Sequence, residues 1–284
     1  MTNFKTIGPA CTLGEGPLWH PVRERLFWFD IPKGELYSCN AFGGQPRSWN
    51  FGEPASAAGW VDKNTLVVAT ASGIQKFDLL NGSWETLVEL EADNQVTRSN
   101  DGRVGPGGAF WIGTMGKNIE AGAGAIYRFY KGQLRQIFDQ LTIPNAVCFA
   151  PDGKVAYFTD TLTQIIHKQP VDKDGWPQGK PQVFADLRAE GLFPDGAVVD
   201  DAGHLWNAQW GASRVARYAP DGSFVSAVEF PAQQISCPAF GGSGLDRLFA
   251  TSAADGLPED QADQGKTFVI QTTIKGQQEH QVLL

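Results

Sequence analysis

Short strand-like runs recur along this chain in pairs, at an interval that few architectures can hold. The second run of each pair is aromatic or β-branched: LFWFDI (26–31), LVVAT (66–70), FWIGT (110–114), AYFTD (156–160), LWNAQ (205–209) and LFATS (248–252). Such residues favour a pleated, half-buried surface. The first runs begin at GEGPLWH (14–20), AAGWV (57–61), SNDGRV (99–104), PNAVCFA (144–150), PDGAVVD (194–200) and CPAFG (237–241). Markers at Glu15, Gly59, Asn100, Asn145, Asp195 and Cys237 are spaced 44, 41, 45, 50 and 42 residues apart. An all-β repeat of this length predicts blades that cannot bury their faces alone and stack radially. The expectation is one all-β domain over 1–284, a six-bladed β-propeller of four-stranded antiparallel blades around a central channel. GIQKFDL with WETLVEL, AIYRFY with LRQIFD, and VARYAP with FVSAVEF supply outer strands, joined by hairpin turns such as Asp221-Gly222. The C-terminal TFVIQTTI or the N-terminal FKTIG completes the last sheet. A β-sandwich is the competing architecture, but nothing in it requires a fixed period.

Composition narrows the partners. Hydrophobic residues make up 42% of the chain and charged ones 19%, enough for a real core and too few charges for disorder. A net charge of −8 argues against nucleic acid and anionic membrane. No apolar run reaches the length of a membrane span, and MTNFKTIGPACTLGEG lacks the features of a signal peptide, so a cytoplasmic location is expected. Cys11, Cys39, Cys148 and Cys237 are scattered without a C-x-x-C pair, which points to reduced, buried thiols.

The tripeptide Pro-Asp-Gly occurs three times. At 151–153 and 220–222 it follows a strand and reads as a turn, but Pro194-Asp195-Gly196 runs directly into Ala197-Val198-Val199. Asp195 therefore stands at the entrance of an inner strand, as do Glu15, Asn100 and Asn145. In a propeller these equivalent positions form a ring around one axis, with Trp60 and Ser236-Cys237 expected from the two remaining units. Asn and Asp at single strand starts commonly cap turns. Several at one phase of a repeat point instead to a shared site. Two carboxylates and two carboxamides converging away from water are costly unless a cation joins them. A divalent ion held by oxygens is the economical solution, with zinc, calcium, manganese, magnesium and iron(II) all candidates. Arg98, two residues before Asn100, faces the same side by strand alternation. Lys117 and Trp210 are rim candidates. The four histidines are isolated, His20 is expected to face its blade, and no nucleophile elbow, P-loop or dinucleotide fingerprint occurs.

At these residues the chain resembles the family grouping senescence marker protein (regucalcin), gluconolactonases and related sugar lactonases. The resemblance is carried by LGEGPLWH (13–20), RSNDGRV (98–104), GTMG (113–116), IPNAVCFAPDGK (143–154), YFTDT (157–161), PDGAVVDDAGHLWNAQWG (194–211) and FGG (240–242). It implies a six-bladed propeller with a single divalent metal on Glu15, Asn145 and Asp195, and a substrate held by Arg98 and Asn100. Where regucalcin-like members carry a substrate-contacting Glu, this chain has Lys117. The LWNAQWG segment, with Trp210, is similar to that of bacterial xylono- and arabinolactonases. The implied reaction is hydrolysis of a small sugar lactone (xylono-, arabino-, glucono- or galactonolactone) to the aldonic acid. Asp195 and a metal-held hydroxide are rival candidates for activating water. Three alternatives stand beside this: a scaffold propeller, a regucalcin-like calcium-binding regulator, and a metal-dependent esterase or phosphotriesterase. An apolar channel mouth would favour the last.

Overall fold

In the computed structural model, which describes residues 4–258 and 261–284, the chain forms six four-stranded antiparallel sheets. Their innermost strands are Gly14–His20, Ala55–Trp60, Thr97–Val104, Pro144–Phe149, Phe193–Val199 and Gln234–Gly241. Each sheet runs outward in chain order except the sixth. There Thr267–Gln271 is the third strand and Lys5–Ile7, from the other end of the chain, is the fourth, with Thr6 opposite Phe268. Both candidate closing segments are used, and this pairing joins the two ends of the propeller. No helix among the described residues is long and apolar enough to cross a membrane.

Burial follows the radius. The inner strand Gly14–His20 is buried throughout, whereas the outer strand Trp84–Glu89 is mostly exposed. Apolar side chains gather between neighbouring blades rather than within them. Phe27, Phe29 and Leu36 of the first blade pack on Leu66, Val68 and Phe77 of the second. Trp19 and Trp28 of the first pack on Phe249 and Val269 of the sixth. Burying one such side chain stabilises by about 1.5–3 kcal/mol, so each blade depends on both neighbours. All four cysteines are free and buried, and His20 packs against Phe27 and Trp60 with Nε2 on the Asp62 carbonyl, 3.0 Å.

The inner strands share a defect that positions everything else. Their pairing to the second strand slips once, between Glu15 and Leu18, Ala55 and Ala57, Ser99 and Gly102, Asn145 and Cys148, Pro194 and Ala197, and Ile235 and Pro238. A β-bulge sets two residues against one and re-aims the side chains beside it. Glu15, Asn100, Asn145 and Asp195 all lie in or next to these bulges, so the third Pro-Asp-Gly is a bulge and not a turn. Gly16 in the first bulge has φ 56°, and a Cβ there would meet the Ser56 carbonyl at 2.1 Å. A Cβ on Gly196 would meet Cys237 Sγ at 2.3 Å.

The bulges also correct one expectation. In the second blade the equivalent of the ring position is Ser56, not Trp60. Ser56 Oγ donates to Ser99 Oγ at 2.8 Å, whereas Trp60 sits at the far end of its strand, its Nε1 on the Glu279 carbonyl, 2.9 Å. Gly59-Trp60 carried the aromatic that the eye aligns. Counting back twelve residues from Val68, the offset that separates Glu15 from Phe27, lands on Ser56.

Candidate functional site

The seven side chains singled out from the sequence meet at one place. Glu15, Arg98, Asn100, Lys117, Asn145, Asp195 and Trp210 all line a cavity of about 360 Å3 at the mouth of the channel. Glu15, Asn100, Asn145 and Asp195 form its buried floor. Lys117, exposed on the loop after strand Phe110–Gly116, is held by its backbone N–H on the Val96 carbonyl and its Nζ on the Gln95 carbonyl, 2.8 and 2.9 Å. Trp210 ends strand Leu205–Trp210, opposite Phe193.

A directed chain of hydrogen bonds crosses the floor. Arg98 Nη1 donates to Ser99 O at 2.8 Å and to Asn100 Oδ1 at 2.9 Å. Asn100 Nδ2 donates to Pro144 O and to Asn145 Oδ1, both at 3.0 Å. Asn145 Nδ2 donates to Thr161 Oγ1 at 2.9 Å, and Thr161 Oγ1 donates to Pro194 O at 2.8 Å. Because the Pro194 carbonyl can only accept, the Thr161 hydroxyl must donate to it and accept from Asn145. The Asn145 amide is thereby fixed with its carbonyl oxygen away from Thr161, one lone pair taken by Asn100 and one left over.

The electrostatics are unbalanced. Burial pushes the Glu15 carboxyl up to about 8, with Asp101 adding to the shift and the Gly16 N–H opposing it. Burial, then Glu15 and Asp101, hold the Asp195 carboxyl well above the usual carboxylate range. Burial raises Asp101 to about 6. Asp101 draws on Arg103, and against Glu15 and Asp195 the floor sets Arg98, whose guanidinium is lowered to about 10 by burial despite the attraction of Glu15, Asp195 and Asp255. Two carboxylates and a carbonyl oxygen with a free lone pair make an all-oxygen donor set suited to a hard divalent cation. Such an ion would also neutralise the excess negative charge. Among the described residues no cluster of three or more His, Cys, Asp or Glu gathers as a metal site, so the Asn145 amide is needed to complete any three-residue set here.

Several contributors escape a reading of the sequence. Asp101 neighbours Asn100, and strict alternation sends adjacent side chains to opposite faces. The bulge buries both, and Asp101 Oδ2 accepts from the Val147 N–H at 2.8 Å. Thr161 is a single hydroxyl in a three-residue 3-10 turn, visible only as the last letter of YFTDT. Asp255 lies in the loop beyond strand Arg247–Ala253, its N–H on the Thr12 carbonyl, and no motif marks it. The apolar lining, including Met115, Ile119, Ile143, Leu162 and Phe193, had no signal either.

Known proteins share this arrangement's fold and sequence. The family described as SMP-30/Gluconolactonase/LRE-like region matches residues 13–254. An L-arabinolactonase of Azospirillum brasilense is 37% identical, over 93% of this chain and 90% of that protein. A 6-deoxy-6-sulfogluconolactonase of Pseudomonas putida is 31% identical, over 93% of this chain and 92% of that protein. Among solved structures, a calcium-binding regucalcin from Agrobacterium tumefaciens superposes with a TM-score of 0.97 at 36% identity, covering 100% of this chain and 98% of that one.

Proposed function

We propose a reaction for a chain that belongs to the SMP-30/gluconolactonase/LRE-like family: it is a lactonase that opens a sugar lactone to the corresponding acid. The activity follows the relatives named for it. The observation that carries the residue assignment is the convergence of Glu15, Asn145 and Asp195 with Arg98 and Asn100 on one buried floor. Glu15, Asn145 and Asp195 would hold a single divalent cation, which when bound would supply Lewis-acid polarisation of the lactone carbonyl.

The chain's own groups do the rest. Asp195 accepts a proton from the attacking water. Arg98 uses Nη1 on the protein and keeps Nε and Nη2 for substrate oxygens. Asn100 has committed both amide hydrogens to Pro144 O and Asn145 Oδ1, so it meets a substrate hydroxyl only as an acceptor. Thr161 and Asn100 together hold the Asn145 amide in place, which makes them positioning residues. Lys117 and Trp210 contact the sugar from the rim.

The apolar rim favours a second reading, an esterase or phosphotriesterase for hydrophobic substrates. The Arg98 and Asn100 floor favours a hydroxylated one. Acid release from xylono-, arabino-, glucono- and galactonolactone, measured beside aryl ester and phosphotriester cleavage before and after chelation, separates them. Lactone turnover lost on chelation and restored by a divalent ion is expected. Faster turnover of aryl esters than of any lactone would overturn the reading, and activity indifferent to chelation would remove the cation.

A further inference from the structure

The floor and rim of the cavity are built from opposite chemistries. Above the charged floor stand Ile119, Leu162, Phe193 and Trp210. They come from three blades: the loop after strand Phe110–Gly116, the turn Thr161–Thr163, and the paired ends of strands Phe193–Val199 and Leu205–Trp210. Ile119 is 52% exposed, Leu162 51% and Phe193 38%. Large apolar side chains left in water and gathered around a pocket mark a binding surface. Ile119 is also held at φ 62°, a conformation that a β-branched side chain rarely adopts. Glycine or asparagine would sit there with less strain, so the local backbone gives no reason for isoleucine and the cavity does. Lys117, the rim's cation, spends a donor on the Gln95 carbonyl.

We infer that this collar selects lactones that carry hydroxyls beside the carbonyl but end in an apolar group, namely 6-deoxyaldonolactones with a terminal methyl. The inference rests on the lactonase reading and names its substrate class. With the carbonyl and neighbouring hydroxyls on the floor, the far carbon of the sugar reaches the collar. A methyl there displaces water from Ile119, Leu162 and Phe193. A hydroxymethyl must lose its own water, and the four collar side chains offer it only the indole N–H of Trp210, the remaining donors being those that Lys117 Nζ leaves free of the Gln95 carbonyl. Ile119, Leu162 and Phe193 are therefore specificity residues.

The test compares each hexonolactone that the protein opens with its 6-deoxy counterpart of the same stereochemistry. Wild-type kcat/KM should favour the deoxy member by roughly tenfold, the low end for one group in an apolar pocket that is part open to solvent, and mainly through KM. Ile119→Asn combined with Leu162→Ser should cut that preference to about twofold or less, again at the low end of such discrimination. Both positions are solvent-facing and asparagine suits the backbone at 119, so an unchanged melting temperature is expected of this variant. Equal or reversed preference in the wild type overturns the inference while leaving the lactonase reading standing. A preference that survives the double substitution overturns the collar as its cause. If no lactone of any kind is opened, the lactonase reading falls and this inference with it.

Discussion

At the end of the channel away from the cavity, Arg103 on strand Thr97–Val104 meets Glu279 in an ion pair whose side chains are 11% and 10% exposed. The C-terminal residues lie across the ends of the inner strands. Gln277 Nε2 donates to the Phe149 carbonyl at 2.7 Å, the Val282 N–H to Trp60 O at 2.8 Å, and the Leu283 N–H to Gly108 O at 3.0 Å. Burial works against the charged guanidinium, yet the Glu279 carboxylate holds its pKa above the ordinary arginine value. At the mouth, Glu15 and Asp195 are equally buried, but they share Arg98 with Asp255, while Asp101, behind them, draws on Arg103. One end pairs a carboxylate directly with a guanidinium and closes the channel. The other leaves charge unmatched, a state that a fold retains when a cation or substrate is to complete it.

That contrast predicts opposite responses to removing a carboxylate at each end. Asp195→Asn should lower kcat by about 1,000-fold or more, within the range for losing a general base, while the melting temperature holds or rises because an unmatched charge is gone. Lactone hydrolysis and thermal unfolding measured on the same sample check both halves. A variant with wild-type rate would end the base assignment. At the other end, Glu279→Ala should destabilise by about 3–5 kcal/mol, since it strands a buried guanidinium. Urea unfolding reads the loss, and activity per folded molecule should persist.

A divalent ion added to chelator-treated protein should raise stability by about 2.7 kcal/mol at one hundred times its dissociation constant. Asp195→Asn should abolish that gain and Glu279→Gln should leave it, which calorimetry with and without the ion distinguishes. Thr161→Val should weaken the ion's binding by about 10–100-fold, the usual effect of losing a group that orients a ligand. Thr161→Ser should restore it, and isothermal titration of the two variants tests the hydroxyl itself. The smallest effect is expected from Lys117→Glu at the exposed rim. It should change the ranking of lactones more than the rate on the best one, and an unchanged ranking would make Lys117 a bystander.

Particular residues show where reading the sequence works and where it stops. Glu15, Asn100, Asn145 and Asp195 were legible because the repeat puts them at one phase, and a phase in sequence becomes a ring in a radial fold. Ser56 broke the alignment because its unit has no carboxylate or amide at that place, so the aromatic Trp60 drew the ring position four residues too far along. Asp101 was hidden by the bulge, since alternation holds only where the ladder is regular. Both candidate strands for closing the last blade were recognised, but only the three-dimensional pairing showed that both are used.

By itself the chain determined six blades and, in four of them, the polar residue at the head of the inner strand, because these are periodic and period is a one-dimensional property. The tertiary structure decided the balance of charge at the two ends of the channel. Arg103 and Glu279 are 176 residues apart, and Thr161 reaches Asp195's neighbour across a blade boundary. It also decided that four apolar side chains from three blades would ring a polar floor. Distances of that kind arise from stacking, which no local pattern encodes.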